Sequence, residues 1–169
     1  MAKRTPSFDA YELLAVLQGR HVSFVVIGAF ARVIQGTGEL TEGIDITPSM
    51  REDNLSRLEK ALNELEARRV DGKQLELADA SEPVIELQTR AGELKLVLEP
   101  AGSRGYDDLR RHASREPLGR GLRPQVASSG DLARMLGALG REEQIPTLLR
   151  LRRLIELERE LGRGRVIER

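Results

Sequence analysis

Residues Val25 to Leu62 read VVIGAFARVIQGTGELTEGIDITPSMREDNLSRLEKAL, and the fold turns on how this stretch is parsed. An apolar run from Val22 to Ile27 ends at Gly28. A short helical pattern follows from Ala29 to Gln35, with Phe30, Val33 and Ile34 facing inward. Gly36 to Leu40 is a loop that also contains Gly38. Gly43 to Thr47 reads as a second strand with one acid, Asp45, and Pro48 stops it. Ser49 then opens a helix, with Glu52 three residues later in the pattern of a capping box. Leu55, Leu58, Leu62 and Leu65 keep the helical period to about Glu66. Strand, Gly turn, helix, loop and acid-bearing strand together set carboxylates beside a phosphate site.

Upstream, Ser7 can cap a helix over Phe8 to Gln18, with Leu13, Leu14 and Leu17 on one face and Gly19 at its end. Downstream, Arg69, Val70 and a turn at Asp71-Gly72 lead to two alternating runs, Pro83 to Thr89 and Glu93 to Glu99. The tight Ala91-Gly92 connection makes them a β-hairpin. Leu94, Leu96 and Leu98 share one face, and Glu93, Lys95, Val97 and Glu99 the other. Pro100 to Gly105 breaks the pattern, Tyr106 to Ala113 is a short amphipathic helix, and Leu122 to Ala127 a last strand. Ser128 or Ser129 caps a helix from about Asp131 to Leu139, which Gly140 ends. A final helix spans about Glu143 to Leu161, with Gly162 and Gly164 ending it and the last residues fraying.

The length of 169 residues suits one α+β domain, with residues 1–127 as its core and 128–169 as a helical segment packed on it. Apolar residues make up 40% of the chain but aromatics only 3%, so the core must be aliphatic. The absence of Cys excludes disulfides, thiol catalysis and Cys-ligated zinc. Two His residues, His21 and His112, are too few for a His-based metal site. No apolar run reaches membrane-spanning length and Met1 to Asp9 has no signal-peptide core, so a cytoplasmic protein without a membrane partner is expected. The net charge is zero but unevenly spread. Residues 1–103 hold 12 Lys+Arg against 17 Asp+Glu, and residues 104–169 hold 15 against 10. A basic second half can face nucleic acid, although most of its Arg residues alternate with acids.

The stretch from Gly28 to Leu62 resembles the nucleotidyltransferase superfamily of polymerase-β-type fold, in particular a small bacterial branch that includes AbiEii-type toxins. That branch has an apolar strand, Gly-Gly or Gly-Ser, a short helix, a Gly-containing loop, then Arg-x-Thr-x-Asp-h-Asp-h, with h apolar. The matching residues are Gly28-Ala29, Ala31, Gly36, Thr41, Ile44, Asp45 and Ile46, then Asn54 and Leu58. Gly92 to Leu98, Tyr106 to Leu109, Val126-Ala127-Ser128, Asp131-Leu132 and Gly140-Arg141 match later segments, so the resemblance runs from about Val22 to Leu157. It implies a mixed sheet flanked by helices, with C-terminal helices. It also implies magnesium held by carboxylates at i and i+2 of one strand plus a third acid, and nucleotidyl transfer to a hydroxyl.

The chain departs from that pattern at the charged positions. The first motif carboxylate falls at Gly43, the motif Arg at Glu39 and the third acid at Lys95. Leu136 fills a frequent Lys position, and Gly140-Arg141 is followed by Gln144 where Asp is common. A lysine in place of a ligand repels a cation. The reading is a nucleotidyltransferase scaffold with an eroded metal site, inactive or weakly active, binding a nucleotide, RNA or a protein partner in a toxin–antitoxin or defence setting. Asp45 is the surviving catalytic acid and metal ligand if magnesium chemistry persists. Gly28, Ala29, Thr41 and Arg141 are the substrate-binding candidates. Two alternatives stay open. One is an active magnesium-dependent transferase acting on RNA or protein, with Asp45 helped by Glu42 or Glu99. The other is a structural module that forms a homo-oligomer through its long Leu-rich helix. Lys95 beside Asp45 suggests an ion pair in place of the metal. A basic face at Arg150, Arg152, Arg153 and Arg159 shares its helix with Glu156, Glu158 and Glu160, which favours a salt-bridged surface. His21 and His112 are expected to be exposed and inert.

Overall fold

The computed structural model of the protein describes residues 7–167. Seven strands form one mixed sheet in the order β3-β4-β5-β2-β1-β7-β6. In chain order the elements are α1 (Ala10–Gly19), β1 (Phe24–Ile27), α2 (Gly28–Gln35), β2 (Gly43–Pro48), α3 (Glu52–Glu64), β3 (Arg68–Arg69), β4 (Val84–Thr89), β5 (Gly92–Val97), α4 (Tyr106–Leu109), β6 (Ser114–Arg115), β7 (Gln125–Val126), α5 (Ser129–Leu139) and α6 (Ile145–Ile167). A single 3-10 turn, Glu142–Gln144, joins the last two helices. The α+β class and the C-terminal helices expected from sequence are both present.

The middle of the sheet is β5-β2-β1. Strand β2 runs antiparallel to β1, pairing Ile27 with Asp45, and parallel to β5, pairing Asp45 with Lys95. Alternate residues Ile44, Ile46, Leu94 and Leu96 are buried, each at most 1% exposed, in an aliphatic core with Leu13, Leu17, Leu58 and Leu62. The opposite face of the same strands is left for polar side chains. Leu132, Met135, Leu136 and Leu151 belong to the same core, so α5 and α6 close the sheet rather than forming a separate body. Among the described residues no helix is long and apolar enough to cross a membrane.

Several boundaries differ from the sequence reading. Asp9, not Ser7, caps α1: its carboxylate accepts from the Glu12 amide at 3.1 Å. The capping box at Ser49 does not form, and α3 starts at Glu52 after Arg51 with no side-chain cap. Asn54 explains this. Its Oδ1 accepts from the Ser23 amide at 2.7 Å, while its Nδ2 donates to the carbonyls of Ser23 at 3.0 Å and Ser49 at 2.8 Å. The Ser49 carbonyl is thus held by a side chain, and the chain turns into the helix later. Strand β1 begins at Phe24 because the Val22 amide is already used by the Leu17 carbonyl. The helix expected to reach Ala113 stops at Leu109, and two-residue strands β3 and β6 stand where no strand was read. Helix α6 continues through Gly162 and Gly164 to Ile167, since glycine costs a helix only about 1 kcal/mol. Of the last residues expected to fray, residues 165–167 continue the helix and residues 168–169 lie outside the described residues, as does most of Met1 to Asp9.

Asn54 is 1% exposed and ties the entry of β1 to the exit of β2. Asn54→Ala leaves the Ser23 amide and the Ser49 carbonyl without this partner, while the Ser23 carbonyl keeps the Ser49 amide, and is expected to destabilise the fold by about 2–4 kcal/mol, as read by urea denaturation. Ser56→Ala on the exposed side of α3 serves as the reference and should shift the midpoint little.

Candidate functional site: the cleft around Asp45

Strand β1 ends in a turn that only glycine accommodates. Gly28 has φ +69°, and a Cβ there would lie 2.5 Å from Asp45 Oδ2. The Asp45 carboxyl therefore sits directly on the backbone at the start of α2. Ile27, the residue before that helix, supplies no side-chain cap. Gly28 and Ala29 line the cleft where the uncapped first turn begins.

Across the sheet, Asp45 on β2, Lys95 on β5 and Glu86 on β4 are successive register partners. Directly paired residues point to the same face, so an ammonium stands between two carboxylates. Lys95 Nζ lies 3.9 Å from Glu86 Oε1. The direct Lys95–Asp45 ion pair suggested by the sequence is not formed, because the ammonium leans toward the more exposed partner. Among the described residues the Asp45 carboxyl takes part in no hydrogen bond. Burial pushes its carboxyl above the usual aspartate range, and the charges of Lys95 and Arg32 only partly oppose that.

Arg32 on α2 is almost fully buried and grips Glu39 with two hydrogen bonds of 2.8 and 2.9 Å. Thr37 Oγ1 donates to the same carboxylate at 2.7 Å. Burial alone would raise Glu39, but the bonds from Arg32 and Thr37 outweigh it and hold its carboxyl below the usual glutamate range. Glu39, where the resembled motif has Arg, is thus the anchor of an arginine that comes from α2 instead. Sequence reasoning missed Arg32. Its signal was an acid placed where a base was expected, which implies a base nearby.

A cleft of about 440 Å³ gathers these groups. Its polar wall includes Arg32, Asp45, Glu86, Lys95, Glu99 and Arg141. Its apolar wall is the α5 face of Leu132, Met135, Leu136 and Leu139. Gln144 also lines it, with a buried Oε1 that has no partner among the described residues. Of the sequence candidates, Gly28, Ala29, Asp45 and Arg141 come together here. Thr41 does not line the cleft; its hydroxyl donates to the Gly43 carbonyl at 2.8 Å. Glu42 is exposed and outside it, whereas Glu99 lies on its wall. Glu86 was also missed, though counting back from the Ala91-Gly92 turn pairs it with Lys95.

Gly43, where the resembled motif has its first acid, has no room for a side chain. A Cβ on Gly43 would lie 2.8 Å from the Glu93 carbonyl oxygen and 2.9 Å from Glu93 Cβ. No protein-family model and no curated protein sequence matches the chain. Its backbone is similar to the solution structure of the antibiotic-resistance factor ANT(2'')-Ia, with a TM-score of 0.55 and 14% identity over 94% of this chain and 91% of that one. The fold is nucleotidyltransferase-like. Within that fold a magnesium site needs converging acids, and here the donor set does not fit one. Among the described residues no three His, Cys, Asp or Glu side chains cluster to hold a metal, and the register partner of Asp45 is a cation.

Two predictions follow from the local physics. Gly28→Ala meets both the positive φ and the Asp45 carboxyl, and is expected to cost about 1–3 kcal/mol in chemical denaturation; Gly28→Ala with Asp45→Ala should recover only the steric part. The two acids should also respond to pH with opposite sign. Raised Asp45 favours folding below the usual aspartate range and opposes it as pH climbs through its elevated value. Lowered Glu39 favours folding above the usual glutamate range, an effect lost as pH falls through its depressed value. Asp45→Asn should therefore raise the melting temperature near neutral pH and Glu39→Gln should lower it, with both differences fading in acid.

Proposed function

We propose that the protein binds a nucleotide in the Asp45 cleft and does not transfer it, as a pseudoenzyme of the nucleotidyltransferase fold with a degenerate motif. The observation that carries this reading is the Asp45–Lys95–Glu86 row beside the sealed Gly43 position. An ammonium supplies on the sheet the positive charge that a metal would otherwise bring to a phosphate. Arg141 adds a second cation without a carboxylate partner among the described residues, and the start of α2 offers backbone N–H donors. The apolar face of α5 suits a base or sugar, and the free Gln144 amide suits a base edge. The resemblance to the AbiEii-type branch extends the proposal to a cytoplasmic role in a toxin–antitoxin or defence setting, with RNA or a protein as the partner.

The test is isothermal titration with each nucleoside triphosphate, with and without magnesium, beside transfer of labelled nucleotide to bulk RNA. Binding that does not need magnesium, weakened about tenfold by Arg141→Ala, with no labelled product, is the expected result. Magnesium-dependent labelling abolished by Asp45→Asn or Glu99→Gln would instead establish the active-transferase reading, which the position of Glu99 on the cleft wall favours.

A further inference from the structure

At the other end of β1 lies a second cavity, of about 240 Å³. Its walls include Gln18 at the end of α1, His21 in the turn after it, Arg115 of β6, Arg123, and Gln125 of β7. Gln125 Oε1 is buried and has no partner among the described residues. The chain around it, residues 110–123, holds five Arg and a single acid, Glu116. Arg110 pairs with Asp107, and Glu116 accepts from Ser114. Among the described residues Arg111, Arg115, Arg120 and Arg123 have no carboxylate within 4.0 Å. Other unpaired arginines are spread over the chain, but only here do four fall within thirteen residues, among the described residues.

The segment is held in place rather than loose. Gln18 donates to the Gly121 carbonyl at 3.0 Å and accepts from the Arg123 amide at 3.0 Å. Arg120 sits in the left-handed region at φ 52°, with its guanidinium 4.8 Å from the centre of the Tyr11 ring. Tyr11 is itself exposed. Uncompensated guanidiniums, an accessible aromatic ring and a cavity with an unsatisfied amide are the elements that hold phosphates, stack bases and read a base edge.

We propose that this hairpin, with Tyr11 and Gln125, binds a single-stranded nucleic acid. Arg115 and Arg123 contact its phosphodiester backbone and Gln125 takes a base amino group. The surface is separate from the Asp45 cleft, so it stands or falls independently of nucleotide binding there.

The test is fluorescence anisotropy on the full chain with labelled oligouridylate and oligothymidylate of about 12 nucleotides, a length within the span of single-strand sites. The wild type should bind, with affinity falling linearly on a log–log salt plot. Arg115→Ala with Arg123→Ala should weaken binding at least tenfold at low salt and reduce the slope by about 1.4, at about 0.7 per phosphate contact. Arg68→Ala on the opposite sheet edge should leave binding unchanged. Hydrogen exchange on the wild type should show protection of 110–125 when oligonucleotide is added, a readout that does not depend on the variant folding. Preference between the two oligonucleotides tells RNA from DNA. The proposal is overturned if neither oligonucleotide binds, if polyglutamate binds equally well, if the double variant binds like the wild type, or if protection falls elsewhere.

Discussion

Asp45 can reach the end of β1 only because residue 28 has no side chain. Its carboxyl oxygen occupies the volume a Cβ would need, and the positive φ at Gly28 turns the chain from strand into helix at that spot. Everything in the cleft is referenced to this contact. The register Ile27–Asp45–Lys95–Glu86 carries it across four strands, and α2 carries it to Arg32. A change in that turn would therefore move the polar face of the sheet as a unit.

The electrostatics of the cleft follow from exposure as much as from sequence. Arg32 and Glu39 are both well buried and mutually satisfied, which makes them a rigid pair at the mouth of the Gly36–Glu42 loop. Lys95 and Glu86 are both substantially exposed, so their attraction is weak and the ammonium stays available. Asp45 lies between these regimes, too covered to be well hydrated and without a bonded partner among the described residues. Its raised pKa is the outcome of that position.

The alternation of Glu93 to Glu99 made the hairpin legible, and hence the face on which Lys95, Val97 and Glu99 stand. The glycine that opens α2 and the lone acid on β2 were both legible, and both line the cleft. Short edge strands were not legible: Arg68–Arg69 and Ser114–Arg115 are polar pairs whose strand character comes from a neighbour across the sheet. The Ser49–Glu52 spacing misled because Asn54, five residues on, competes for the same backbone. Arg32 was hidden for a similar reason. A charged residue on a short apolar helix looks solvent-facing until the loop that folds back over it is known.

The closeness of Glu93 to residue 43 limits what that position can hold. The nearest obstacle is a backbone carbonyl, which no substitution of Glu93 removes. A side chain could enter only if β2 and β5 drew apart at that rung, and Lys95 would still repel a cation two residues along. The rung thus works like a tight seam: the two strands can exchange side chains elsewhere, but residue 43 can vary only together with the spacing of the sheet.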